Sequence, residues 1–411
     1  MKTKLLFIAI MFMGLSISAQ DTTVNTSMGA GYSNQVYYKL STETETSFPA
    51  NSWDVAFLRV SAYQMGIRVN AQLGTEVYEA SDNPSNWGTI DVSNESSWSI
   101  LYNSNTNWDN GAFMQGSATY GFGEYDPVTH HVNGTIIFVL KYTDGTYVKF
   151  INEDFYDGYT FKYATWDGAS WSADTTYTLP NANNPDNRYN YYSIQNNTEV
   201  IAEPAQTDWD FVFTKYYKDL GSMFYLMTGV LHSSLVQVAE NTETDTDPLP
   251  TDLSYSDEIN TIGDDWKTFG GGSYTVHSDK RYYVKYEDGS IYRMYFTEFE
   301  GGSTGNLTFK FREVTSEIGI VDVTDEISFG IYPNPTTDKK ISIIYDVEQV
   351  NSEHNEIIIF TLNGQQVYKE TLKNKSGFHN QQIDLSNLKK GMYLVQFKAG
   401  DKMATKKLIL H

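Results

Sequence analysis

The chain has 411 residues, no cysteine and a formal net charge of −22, and aromatic residues (15%) are nearly as common as charged ones (19%). That length exceeds a single core and predicts two to three domains, while the lack of cysteine excludes disulfides and a lipidated N-terminal thiol. Residues 327–411 hold 11 Lys/Arg against 8 Asp/Glu and the first 19 residues carry two lysines, which leaves about −27 on the body between them; such a body is unsuited to nucleic acid or to an anionic membrane surface.

Met1–Ala19 joins Lys2 and Lys4 to the apolar run LLFIAIMFMGL and the small-residue run SISA before Gln20. These are the basic, apolar and cleavage regions of a secretory signal, with cleavage expected near Ala19. The apolar run is too short for a permanent span, and no later stretch approaches transmembrane length. The chain is therefore expected to be exported.

After a polar segment comes the strand QVYYKL (Gln35–Leu40), and then WDVAFLRV from Trp53, IRVNA and TEVYEA at strand length. Residues 81–110, rich in Asn, Ser and Trp, read as a long loop or insertion. Residues 134–163 give a hairpin that turns at Thr143-Asp144-Gly145, and residues 167–190 an irregular connection. YYSI, WDFVF and Met223–Val238, broken at His232-Ser-Ser, follow. Glu240–Asp252 is an acidic, proline-containing surface loop; its alternate carboxylates would suit calcium, but it lacks a tight-turn glycine and a closing glutamate.

The chain repeats itself. FVLKYTDGTYVKFINEDF (Phe138–Phe155) returns as YYVKYEDGSIYRMYFTEF (Tyr282–Phe299), and Trp53-Asp54 with Phe57 returns as Trp209-Asp210 with Phe213. The copies end in TFKY and TFKF. Ordered landmarks at near-constant offsets predict a tandem duplication of one β module: residues 20–166 and 191–312, joined by 167–190. A linker at 313–328 then leads to a basic domain, 329–411, whose six or seven short strands and Asn363-Gly364 turn predict a small β-sandwich. The expected class is all-β.

The C-terminal domain resembles the type A sorting domain of the type IX secretion system of Bacteroidota. The resemblance rests on YPNPTTD (Tyr332–Asp338), FTLNGQQVYKETL (Phe360–Leu372), IDLSNLKKGMYLVQF (Ile383–Phe397) and the terminal KKLIL. It implies recognition by the type IX machinery and translocation across the outer membrane, followed by release or attachment at the cell surface.

The body resembles the HmuY family of haem-binding β proteins, through NYYSI, DWDFVFTKYY and DKRYYVKYEDGSIYRMYFTEFEGGSTGNLTFKF in the second module and the matching WDVAFLRV, IRVN and IIFVLKYTDGTYVKF in the first. The resemblance implies packed, twisted sheets and a cleft where His or Met side chains clamp haem iron. The family's Phe-Ser-His-Gly type of turn corresponds here to Thr268–Gly271 and Phe113–Gly116, neither of which holds a histidine. Met114 is the ligand type left at that place.

Haem iron takes His, Met, Cys or Tyr donors beside an apolar slot. His232, with Met223 and Met227 nearby, is the second candidate axial residue beside Met114; both Met and His also serve as core fillers. His130-His131 and His277 read as turn or surface residues. The Trp-Asp pairs read as structural, Trp in the core and Asp on backbone donors. No nucleophile elbow, HExxH site or phosphate-cradling loop is present, so a non-enzymatic binding protein is expected. A surface adhesin or glycan-binding protein is the alternative, with Trp87, Trp98 and Trp108 as the aromatic candidates.

Overall fold

The computed structural model describes residues 20–244, 249–250, 252–315, 329–347, 355–361, 364–373, 375, 377–399 and 402–411. The signal segment, most of the linker and part of the acidic loop lie outside these residues. The fold is all-β: among the described residues the longest helical stretches are six-residue 3-10 turns at Pro84–Thr89 and Val92–Ser97, inside the long loop read from the sequence. The chain divides into two units, 1–318 and 319–411.

In chain order the body's strands are β1 (Thr22–Ser27), β2 (Asn34–Lys39), β3 (Thr44–Pro49), β4 (Val55–Leu58), β5 (Ile67–Val69), β6 (Glu76–Ser81), β7 (Ser99–Leu101), β8 (Gly123–Tyr125), β9 (Val132–Gly134), β10 (Ile137–Lys141), β11 (Tyr147–Phe155) and β12 (Gly158–Thr165). The second half continues with β13 (Thr175–Pro180), β14 (Tyr189–Ser193), β15 (Thr198–Val200), β16 (Phe211–Asp219), β17 (Phe224–His232), β18 (Val236–Thr242), β19 (Lys267–Gly270), β20 (Ser273–Val276), β21 (Lys280–Tyr286), β22 (Ile291–Phe299) and β23 (Asn306–Glu313). The Asp-Gly turns stand where the sequence puts them, with Gly145 and Gly289 at φ of 88° and 90°.

These strands build two lobes, but the lobes do not follow the order of the chain. One lobe packs a four-stranded sheet, β15-β14-β4-β5, on a larger sheet whose main path is β13-β12-β11-β10-β6-β7. The other packs β17-β16-β2-β3 on β1-β23-β22-β21-β18. Strands β1 and β2, at the start of the chain, thus pair with β23 and β16 from its second half. In return β13 and β14 pair with β12 and β4 from the first half. The boundaries of the sequence repeats are not the boundaries of the cores.

The middle strands are apolar on both faces because they serve two cores. Phe57 of β4 and Tyr192 of β14 enter one lobe with Phe138, Phe150 and Phe161, while Ala56, Leu58 and Tyr191 face the seam. In the other lobe Tyr38, Phe211 and Phe213 pack on Phe296, Phe309 and Phe311, while Tyr37, Val212 and Tyr216 face the seam. Trp53 packs edge-on to Tyr191 with ring centres 4.9 Å apart, and Trp209 to Tyr37 at 5.2 Å. Each aspartate after those tryptophans binds the far end of the strand beside it. Asp210 accepts from the Leu40 N–H (2.7 Å) and Lys39 Nζ (2.8 Å), and Asp54 from the Gln195 N–H (3.2 Å) and side chain.

The C-terminal unit is a two-sheet sandwich. Phe329–Tyr332, Lys340–Val347 and Gly377–Asp384 form one sheet; Gln366–Leu372, Asn355–Thr361, Gly391–Ala399 and Lys402–Leu410 form the other. Ile343, Tyr345, Ile357, Val395, Phe397 and Leu408 share its core. The YPNPTTD motif clasps the last strand: Asn334 donates to the Lys407 carbonyl (2.6 Å) and accepts from the Ile409 N–H (3.0 Å).

Two measurements test this architecture. A chain that starts at Asn51 lacks β1–β3, so β16 and β23 lose their partners; it is expected to bind a hydrophobic dye and to aggregate, and a soluble monomer with native melting would contradict the exchange. The second concerns Glu203, buried at the seam, where it accepts from the Tyr189 N–H (2.7 Å) and Tyr191 Oη (3.0 Å). Burial pushes its carboxyl from 4.5 up to about 7, against those hydrogen bonds. The folded chain therefore holds this proton more tightly than the unfolded chain. That stabilisation is complete below the unfolded value and is lost as pH rises through about 7. Relative to Glu203→Gln, the wild type should lose about 2–3 kcal/mol between pH 5 and 8 in urea titrations.

Candidate functional site

The segment from Tyr102 to Gly123 builds an open concavity of the body. Arg68, buried on β5, donates from Nη1 to the Asn107 and Trp108 carbonyls and from Nη2 to the Ser104 carbonyl, each at 2.9 Å. Asn103 acts like a strand residue, accepting from the Val69 and Ala112 N–H groups and donating to the Val69 carbonyl. Trp108 Nε1 donates to the His232 carbonyl at 2.8 Å, and the Ile259 N–H to Thr106 at 3.1 Å. One loop thus fastens both lobes together. The Arg68 guanidinium lies among carbonyls and tyrosines, and burial lowers its pKa.

The turn that follows depends on glycines. A Cβ at Gly111 would meet the Ile67 carbonyl oxygen at 1.9 Å, and Gly121 (φ +74°) lies against the Met114 backbone. Phe113 is fully buried, with ring centres 4.9 Å from Phe138 and 5.1 Å from Phe150. With Phe113 locked inward, Met114 is only half-buried. It lines an open groove of about 490 Å³ together with Tyr120, Thr119, Asn107, Asp109 and Asn110. That volume lies within the roughly 300–1,000 Å³ of small-molecule sites. A smaller cavity at the seam, lined by Arg68, Gln72, Tyr191 and Thr214 among others, is only about 50 Å³, room for a few waters.

Met114 therefore keeps a place at a groove, but His232 does not join it. His232 is fully buried at the end of β17, with Nδ1 2.9 Å from the Ser233 carbonyl and Nε2 2.7 Å from the Glu258 carbonyl. Both ring nitrogens face backbone carbonyls inside the protein, so as folded neither is open to iron. Burial lowers its pKa, while the two carbonyls pull the other way. Its work is structural: it staples residues 258–259 and Trp108 to the strand end. A histidine flanked by methionines looks like a ligand until burial is known.

The other sequence candidates separate cleanly. Trp87 and Trp98 pack over Ile90, Ile137, Val139 and Ile151 on the outer face of the larger sheet, and Trp108 sits at the seam. All three are half-buried. Met223 is exposed at the tip of the β16–β17 hairpin, and His277 bonds Thr268 at 2.8 Å. His131 Nδ1 lies 2.7 Å from Asp154, and His130 Nδ1 2.5 Å from Tyr125 Oη. In the acidic loop, Glu243 is buried against Arg293 Nε at 2.7 Å. No group of three or more metal-ligating side chains occurs among the described residues. Sequence reasoning missed Tyr120, whose position beside Met114 follows from the Gly116–Gly121 turn and from no local pattern.

Residues 330–411 match the family model described as the secretion system C-terminal sorting domain. The chain is exported by type IX secretion. Its destination is the cell surface or the medium, and among the described residues no helix is long and apolar enough to cross a membrane. Among solved structures, apo PinO from Porphyromonas gingivitis aligns with 72% of this chain and 98% of its own, at 11% identity and a TM-score of 0.23. No curated protein matches the chain.

Arg68→Met removes the donor to the Ser104 and Asn107 carbonyls and leaves the Trp108 carbonyl to Tyr189 Oη alone, at a cost of about 2–3 kcal/mol, and loosens residues 104–108. Limited proteolysis should cut this loop faster in the variant than in the wild type. Equal cutting would show that Arg68 does not hold it.

Proposed function

We propose that the body is a non-enzymatic ligand-binding module carried outside the cell by its sorting domain, and that the groove at Met114 captures haem or a related porphyrin. The observation that carries this reading is that Met114 and Tyr120 line one open groove. Thioether and phenolate oxygen are both donors that haem iron accepts. Tyr120 is 41% exposed, so its phenol can be reached from solvent. The apolar ring edges of Tyr120 and the Met114 side chain would lie along the macrocycle, and the amides of Asn107 and Asn110 would meet its polar edge. The resemblance to the HmuY family supports the same ligand class. Met114 stands at the place of that family's histidine-bearing turn.

An absorbance titration of the secreted chain with ferric and ferrous haem tests the proposal. The Soret band should shift and saturate at one haem per chain. Met114→Ala should weaken binding at least tenfold or change the spectrum, whereas His232→Gln, if folded, should leave the band position unchanged. A featureless spectrum in both redox states would sink the porphyrin reading, and a band lost only with His232→Gln would move the site to the seam.

A further inference from the structure

The outer face of the larger sheet carries a feature that the groove does not use. Five residues stand directly opposite one another on five neighbouring strands: Glu124 (β8), Asn133 (β9), Asp154 (β11), Thr160 (β12) and Thr178 (β13). Directly opposed residues project to the same face. The Thr160 and Thr178 hydroxyls lie 3.0 Å apart, and Asp154 binds His131 beside it. Glu124, Asn133 and Thr178 are exposed, and Asp154 and Thr160 are half-buried. At the edge of this row the rings of His131 and Tyr156 stack, with centres 4.7 Å apart and planes within 6°. Tyr156 is 52% exposed.

We infer that this ladder is a second binding site, for a neutral linear polysaccharide or oligosaccharide. Its groups repeat at the strand spacing of about 4.8 Å and extend over about 19 Å, a pitch close to the length of one pyranose ring. Glu124 accepts from the Thr119 N–H at 2.9 Å and Asp154 binds His131; their remaining oxygens, the Asn133 amide and the hydroxyls keep hydrogen-bonding capacity, and a sugar chain presents hydroxyls at matching intervals. The Tyr156 face offers a platform for the C–H face of a ring. Because Asp154 pins His131 and His131 backs Tyr156, little freedom is lost on binding. Charge narrows the class further. The row holds two carboxylates in a strongly acidic body, which disfavours an anionic polymer. A protein partner would want a buried apolar centre, and this row has none. Trp87 closes the neighbouring region, with Lys162 Nζ 4.7 Å from its ring.

Affinity electrophoresis of the chain from Gln20 to His411, in gels containing hydroxyethylcellulose, mannan or xylan, with polygalacturonate as the charged control, tests the assignment without reference to haem. At least one neutral polymer should retard the chain. Tyr156→Ala and Asn133→Lys should each weaken retardation about tenfold, Tyr156→Phe should preserve it, and Met114→Ala should have no effect. Thermal melts of the variants check that they are folded. Failure of all three neutral polymers, preference for polygalacturonate, or retardation that survives both Tyr156→Ala and Asn133→Lys would overturn the site. Loss of retardation with Met114→Ala alone would place the sugar in the groove and equally overturn it.

Discussion

A buried aspartate at the start of a strand holds this body together. Asp210 has no exposed surface, and it ties Lys39 and the Leu40 N–H, from the beginning of the chain, to a strand that begins some 170 residues later. Tyr286 Oη donates to the same carboxylate, which brings in the second Asp-Gly hairpin. Removing one partner from such a buried pair costs about 3–5 kcal/mol, because the remaining charge stays buried and unpaired. Asp54 makes the corresponding ties in the other lobe with neutral partners. The exchanged strands are thus fixed chemically at their ends and by aromatic packing along their length.

From that constraint the rest follows in layers. Exchange places the two four-stranded sheets back to back, so the Trp53–Tyr191 and Trp209–Tyr37 pairs stand at one seam. The loop carrying Trp108 fills the seam, and its outer side becomes a wall of the groove. Groove and seam are therefore one construction: a change that loosens Arg68 or Trp108 disturbs the groove wall as well as the junction of the lobes.

Much of this was legible in the sequence, and for identifiable reasons. The Asp-Gly hairpins, the alternating strands and the sorting domain depend on local chemistry that a short window contains. The repeated landmarks Trp53-Asp54 and Trp209-Asp210 each stand just before a strand at the seam, and the structural reading of their aspartates matches the bonds they make. The exchange was hidden because VYYKL and NYYSI are alike and apolar on both faces, so neither declares which Trp-Asp strand it will join. His232 misled because donor type is visible in a sequence and burial is not. The row from Glu124 to Thr178 was invisible for a third reason: cross-strand alignment is set by the register of strands up to 54 residues apart.

The pairing of β1 with β23 joins the first strand of the body to its last. A polypeptide that breaks off anywhere before Asn306 leaves its own N-terminal strand without a partner. The same fragment also lacks the sorting domain that follows. Completeness of the fold and possession of the export address thus come from the same end of the chain. An unfinished copy is incomplete as a structure and unaddressed as cargo, so the topology ties a closed body to possession of the sorting domain.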